Sequence, residues 1–147
     1  MYKQILVATD GSKLSGKAVA QAIDMAQAIG AKLTVFYASP DYPMPAYAEG
    51  VALEPMSRGE YAALCKKEAA KILGAVELKA ESAGLEFNTV HTIASAPWEA
   101  ILAAAKKYKC QAIVMASHGR RGLSALLLGS ETQKVLTHSK LPVLVVR

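Results

Sequence analysis

Three short stretches of this chain, ILVA (5–8), AIVM (112–115) and VLVV (143–146), are apolar at every position. A strand with one face in water alternates polar and apolar residues, so strands of this kind need cover on both faces. A parallel sheet between two layers of helices supplies that cover, and the intervening sequence has helical period. Val19, Ala22, Ile23, Ala26 and Ile29 recur at helical spacing ahead of Gly30, a stop signal. Ser57-Arg58-Gly59-Glu60 is a capping-box pattern that opens a helix to about Ala83, with Gly84 after it. The expected buried stripe of that helix is Tyr61, Leu64, Cys65, Ala69, Ile72 and Val76. Ser95 precedes a helix with Pro97 in its first turn. Ser130 and Gln133 spell a second capping box for a last helix that Pro142 ends.

QILVAT (4–9), AKLTVFYAS (31–39), FNTVHTIA (87–94), CQAIVMAS (110–117) and the closing VLVVR then read as five strands alternating with these helices. Right-handed crossovers follow from that alternation. The expected fold is α/β: one doubly wound, five-stranded parallel sheet with helices on both faces, a single domain over residues 1–147.

Composition narrows the function. With 52% hydrophobic and 20% charged residues the chain can bury a full core. No apolar run approaches the roughly 18 residues that cross a bilayer, and MYKQILVATDG turns polar too soon for a signal peptide. A cytoplasmic location without membrane contact is the expectation. Cys65 and Cys110 lack metal or redox spacing and read as buried free thiols, while His91, His118 and His138 are too scattered for a zinc site. The net charge of +5 is spread among acids, and aromatics at 6% offer no stacking platform, so no nucleic-acid partner is expected. PDYPMPAYAEGVALEP (40–55), with four prolines, is a candidate lid or partner surface.

In a doubly wound sheet, ligands sit beyond the carboxyl ends of the strands where the strand order reverses. That brings Thr9-Asp10, Ala38-Ser39 and the loop after Met115 together. GSKLSGKA (11–18) nearly spells a Walker A loop, yet Ala18 has no hydroxyl for magnesium and no later strand ends in Asp. The dinucleotide fingerprint G-x-G-x-x-G is absent, and Asp10 stands alone where a phosphoacceptor domain needs several carboxylates. A flavin phosphate on Thr9-Asp10-Gly11-Ser12 stays open, with only Tyr42 or Tyr47 to flank the ring. VMASHGRRGLSALLLGSETQKVL (114–136) carries more. Gly119 and Gly122 allow close approach and unusual backbone angles, Arg120 and Arg121 bring charge, and Gly129-Ser130 opens a helix whose free N–H groups suit an anion. The residues alone leave two readings open: a triphosphate cradle, or a helix capped by Ser130 with solvated arginines.

ILVATDGSKLSGKAV, IVMASHGRRGLSALLLGS and SKLPVLVVR together resemble the universal stress protein family across nearly the whole chain. The family's ATP-binding signature, G-x2-G-x9-G-[ST], falls here on Ala116, Gly119, Gly129 and Ser130. The resemblance implies a flavodoxin-like sheet, a homodimer, and a stress-linked sensor or regulator that binds ATP, with magnesium as companion ion. It implies base and ribose contacts at Thr9, Asp10, Ala38 and Met115, and phosphate contacts at Gly119, Arg120, Gly129 and Ser130 with Glu131 alongside. Ala116 replaces the signature's first glycine, a change that costs on the order of 1 kcal/mol if the position needs positive φ. The alternatives are a member that works through protein contacts without nucleotide, or a slow ATP hydrolase with lone His118 near the phosphates. The apolar VLVV strand, a liability at an open edge, is expected to pair with its copy in a second subunit.

Overall fold

Five parallel strands form the sheet: β1 (Gln4–Ala8), β2 (Lys32–Ser39), β5 (Phe87–Ile93), β6 (Ala112–Ala116) and β7 (Val143–Val146). The computed structural model describes residues 1–43, 47–48, 51–52, 56–120 and 127–147. Between the strands run α1 (Lys13–Ile29), α2 (Arg58–Ser82), α3 (Pro97–Lys107) and α4 (Ser130–His138), while β3 (Tyr47–Ala48) and β4 (Val51–Ala52) make a short antiparallel pair. The sheet order is β5-β2-β1-β6-β7, so the chain steps outward to one side of β1 and then returns to the other.

The non-alternating strands have the reason their sequence suggests. Ile5 and Val7 face one layer, with Val19, Ala22, Ala69 and Val76 of α1 and α2. Leu6 faces the other, with Ile101, Ala105 and Val135 of α3 and α4. All three β1 side chains are fully buried. Each such side chain stabilises the fold by roughly 1.5–3 kcal/mol. Cys65 and Cys110 are buried free thiols as expected, and burial pushes the Cys110 thiol up. No described helix is long and apolar enough to cross a membrane.

Local signals hold at two helices. Gly30 ends α1 in the left-handed region (φ 66°), and Ser57 and Glu60 complete their reciprocal cap at the start of α2. Three expectations are corrected. Leu64 is 49% exposed, because the buried stripe of α2 runs through Cys65, Ala69, Leu73, Val76 and Ala80, about 100° round the helix from it. Ser130 does not cap α4: Gly129 is the N-cap residue, fixed by its N–H donating to the Ser117 carbonyl at 2.7 Å. Gln133 accordingly donates to the Leu128 carbonyl instead of closing a box. Pro142 does not end α4 either. The helix stops at His138, where Ser139 turns extended and bonds with Leu141, and Pro142 only leads into β7.

Candidate functional site

The reversal of strand order between β1 and β6 opens a cleft of about 600 Å³ at the carboxyl end of the sheet. Thr9, Asp10, Ala38, Met115, Ala116, Gly119, Arg120, Gly129, Ser130 and Glu131 all line it. Sequence reasoning missed Phe36, Pro40 and Asp41 from β2 and its exit, and Pro97 and Ile101 from α3. Phe36 was within reach, since it lies two residues before Ala38 and on the same face of the strand. Pro97 and Ile101 arrive only because β5 pairs with β2, which no local pattern announces.

The turn after β1 is closed on itself. Thr9 and Ser15 share a hydroxyl–hydroxyl bond at 3.0 Å, Gly11 donates its N–H to Thr9 Oγ1 at 3.2 Å, and Ser12 caps α1 by accepting from Ser15 N–H at 3.2 Å. Gly11 needs its hydrogen side chain, because its φ is +76°. The Asp10 carboxylate accepts from Ser12 N–H at 2.9 Å on one oxygen and from Arg120 N–H at 2.8 Å on the other. Burial alone raises the Asp10 pKa, but hydrogen bonds from Ser12, Ser15 and Arg120 outweigh it and hold the carboxyl below its usual range. Asp10 therefore clasps the loop after β6 as a charged group.

That loop is shaped by missing side chains. A Cβ on Gly119 would lie 2.6 Å from Asp10 Oδ2, and one on Gly129 would lie 3.1 Å from His118 Cα. Both glycines serve close approach, and neither has positive φ. Arg121 and Gly122 lie outside the described residues. Ala116 sits within β6, and Lys109 is the sole non-glycine with positive φ among the described residues, so the alanine carries no backbone strain. Its carbonyl accepts from Thr132 Oγ1 at 2.9 Å, which ties α4 to the strand. With glycine at its cap, α4 presents the unpaired N–H groups of its first turn to the cleft, a ready anion site.

Charged groups are already engaged. Arg120 Nη1 lies 3.6 Å from Glu68 Oε1, both side chains about half exposed, a pairing worth at most ~1 kcal/mol. Glu131 does more than favour its own helix. Its Oε2 accepts from the Trp98 N–H at 2.8 Å and its Oε1 lies 3.4 Å from Lys134 Nζ. The N-cap residue of α3 is Ala96, which has no side-chain acceptor, so Glu131 caps that helix from across the cleft. Trp98 also stacks on His138 at 4.6 Å.

Other sequence candidates fall away from the cleft. Lys17 is exposed on α1 and outside the lining, which removes the phosphate role a Walker A loop would give it. Tyr42 is engaged at the rim, against the ring of Tyr61 and under Arg58, and the side chain of Tyr47 lies outside the described residues. Tyr61 donates to the carbonyls of Pro40 at 2.7 Å and Asp41 at 3.1 Å, which fixes the start of the 40–55 segment, half of which lies outside the described residues. His91 stacks on Tyr37 and bonds Ser39, burial lowering its pKa, while His118 lines the cleft.

The whole chain, residues 1–147, matches the family model described as the universal stress protein family. It is 35% identical to a universal stress protein of Methanocaldococcus jannaschii, over all of this chain and 83% of that one. It is 36% identical to one of Thermus aquaticus over the full length of both. Its fold is similar to that of universal stress protein UspA from Lactobacillus plantarum (TM-score 0.80, 24% identity, 99% of this chain and 98% of that one). A universal stress protein in complex with cAMP is also similar (TM-score 0.69, 26% identity, 99% and 97% covered). So is one from Archaeoglobus fulgidus in complex with dAMP (TM-score 0.65, 18% identity, 99% and 98% covered).

Proposed function

This chain belongs to the universal stress protein family, and from that premise we propose that it binds an adenine nucleotide, ATP included, at the carboxyl end of its sheet and acts as a stress-linked sensor or regulator. One observation carries the reading. The glycine-capped N-terminus of α4 faces a cleft also lined by apolar Phe36, Ala38, Ile101 and Met115, at the reversal of strand order. Ala38, Met115 and Phe36 suit a base, and Gly119, Arg120, Gly129 and Ser130 suit phosphates. Asp10 keeps a lone pair on each oxygen for a ribose hydroxyl beside its two backbone donors. Two structural neighbours that hold cAMP and dAMP support the ligand class.

Titration of nucleotide-stripped protein with ATP and magnesium should give a micromolar dissociation constant, on the order of −8 kcal/mol. Gly129→Val should weaken it, since even a Cβ there meets backbone at 3.1 Å. No binding up to millimolar ATP would instead favour the second reading, function through protein contacts. Exposed Met56 and Leu64 at the start of α2 favour that alternative. In either case β7, an outer strand with Leu144 43% exposed, is the proposed contact of a homodimer, and a dimer mass by light scattering is the expected result. A slow hydrolase is the third reading, with His118 at the cleft as a candidate acid or base.

A further inference from the structure

We infer that the cleft grades adenine nucleotides by phosphate charge, holding a single phosphate ahead of the free triphosphate and taking the triphosphate as its magnesium complex, with Glu131 setting this order. The inference rests on the nucleotide reading above and says which members of that class the same site prefers.

Three carboxylates line the cleft, Asp10, Asp41 and Glu131, against one permanent cation among the described lining residues, Arg120. That guanidinium is shared with Glu68, 3.6 Å away on α2. Asp41 stands exposed at the rim, its carboxylate accepting from Tyr42 N–H at 2.8 Å. Glu131 is placed where it matters most. It lies in the first turn of α4, so its charge already occupies the positive end of the helix that would receive phosphate. Through Trp98 it draws on the N-terminus of α3 as well.

A free triphosphate brings roughly twice the charge of a monophosphate. Each added charge enters a site where, among the described lining residues, carboxylates outnumber permanent cations, and like charges in a partly desolvated cleft repel strongly. A divalent cation on the phosphates reverses that sign. Among the described residues no three of His, Cys, Asp and Glu converge to hold a metal ion unaided. Magnesium would therefore arrive on the phosphates, as that ion commonly does, and the carboxylates would then attract the complex.

The test is calorimetric titration of stripped protein with AMP, with ATP in chelator, and with ATP plus magnesium, for wild type, Glu131→Gln and Asp41→Asn. Glutamine keeps an oxygen for the Trp98 N–H, and Asp41→Asn at the exposed rim carries the test should the first variant fold poorly. Wild type should bind AMP at least about threefold tighter than chelated ATP, and magnesium should strengthen ATP but not AMP. Glu131→Gln should raise chelated-ATP affinity by at least about threefold more than it raises AMP affinity, with Asp41→Asn moving the ratio the same way by less. Chelated ATP that binds wild type as tightly as AMP overturns the grading, and a folded Glu131→Gln that leaves the ratio unchanged overturns its assignment to Glu131; either result leaves nucleotide binding standing. No binding of any nucleotide at millimolar concentration overturns the nucleotide reading itself, and the grading with it.

Discussion

The cleft is built from two loops that reach their shape by opposite means. The turn after β1 is filled: Thr9, Asp10, Ser12 and Ser15 satisfy one another and the neighbouring N–H groups. The two described ends of the connection after β6 are emptied, Gly119 against Asp10 and Gly129 against the His118 backbone, where a Cβ would lie 2.6 Å and 3.1 Å from its neighbour. A single carboxylate joins them, Asp10 to the Arg120 N–H. The filled turn is set by local chemistry and holds its form alone. The emptied one is set by what approaches it, and depends on the first.

Substitutions should separate the two. The largest effect is expected at Gly119→Val, which forces side-chain atoms into a carboxylate 2.6 Å away. It should lower nucleotide affinity by at least about tenfold, read by titration, with a loss of about 1–3 kcal/mol in urea unfolding. A stable variant with wild-type affinity would mean that the loop does not need its close approach.

Asp10→Asn comes next, and pH tells its charge from its geometry. The folded carboxyl lies below its unfolded value near 3.9, so its stabilisation is fully present above that value and fades as pH falls through the folded one. Urea unfolding at neutral pH should find the wild type more stable than Asp10→Asn, and the gap should narrow as pH falls below the ordinary carboxylate range. A gap unchanged with pH would assign the clasp to shape alone. The smallest effect belongs to Ala116→Gly. With no strain to relieve at that position, affinity should stay within about threefold, while strand stability falls by about 0.5–1 kcal/mol. A large gain in affinity would show that the methyl obstructs the ligand after all.

The same contrast explains what could be read from the sequence. Apolar runs such as ILVA gave away a sheet covered on both faces, and Gly30 and the Ser57–Glu60 pair marked helix ends, because each depends on neighbours in the chain. Ser130 was misread because the start of α4 is fixed by Gly129 bonding to Ser117, twelve residues back. The cap that Glu131 places on α3 spans 33 residues, and Pro97 and Ile101 reach the cleft through the pairing of β5 with β2. Leu64 was assigned one position off a stripe that tertiary packing alone defines. Ten of the positions that line the cleft were named in advance, because they lie at or just after strand ends or on the signature loop of the family that the chain resembles.

The junction of α3 and α4 has one more consequence. Trp98 is the only tryptophan in the chain, its backbone N–H donates to Glu131, and its ring lies on His138. The molecule thus carries an optical gauge next to Pro97 and Glu131, two residues that line its cleft. Indole fluorescence reports that single joint, so any ligand that shifts α4 against α3 registers as a change in emission, without a label and without a second fluorophore of its kind to blur the signal.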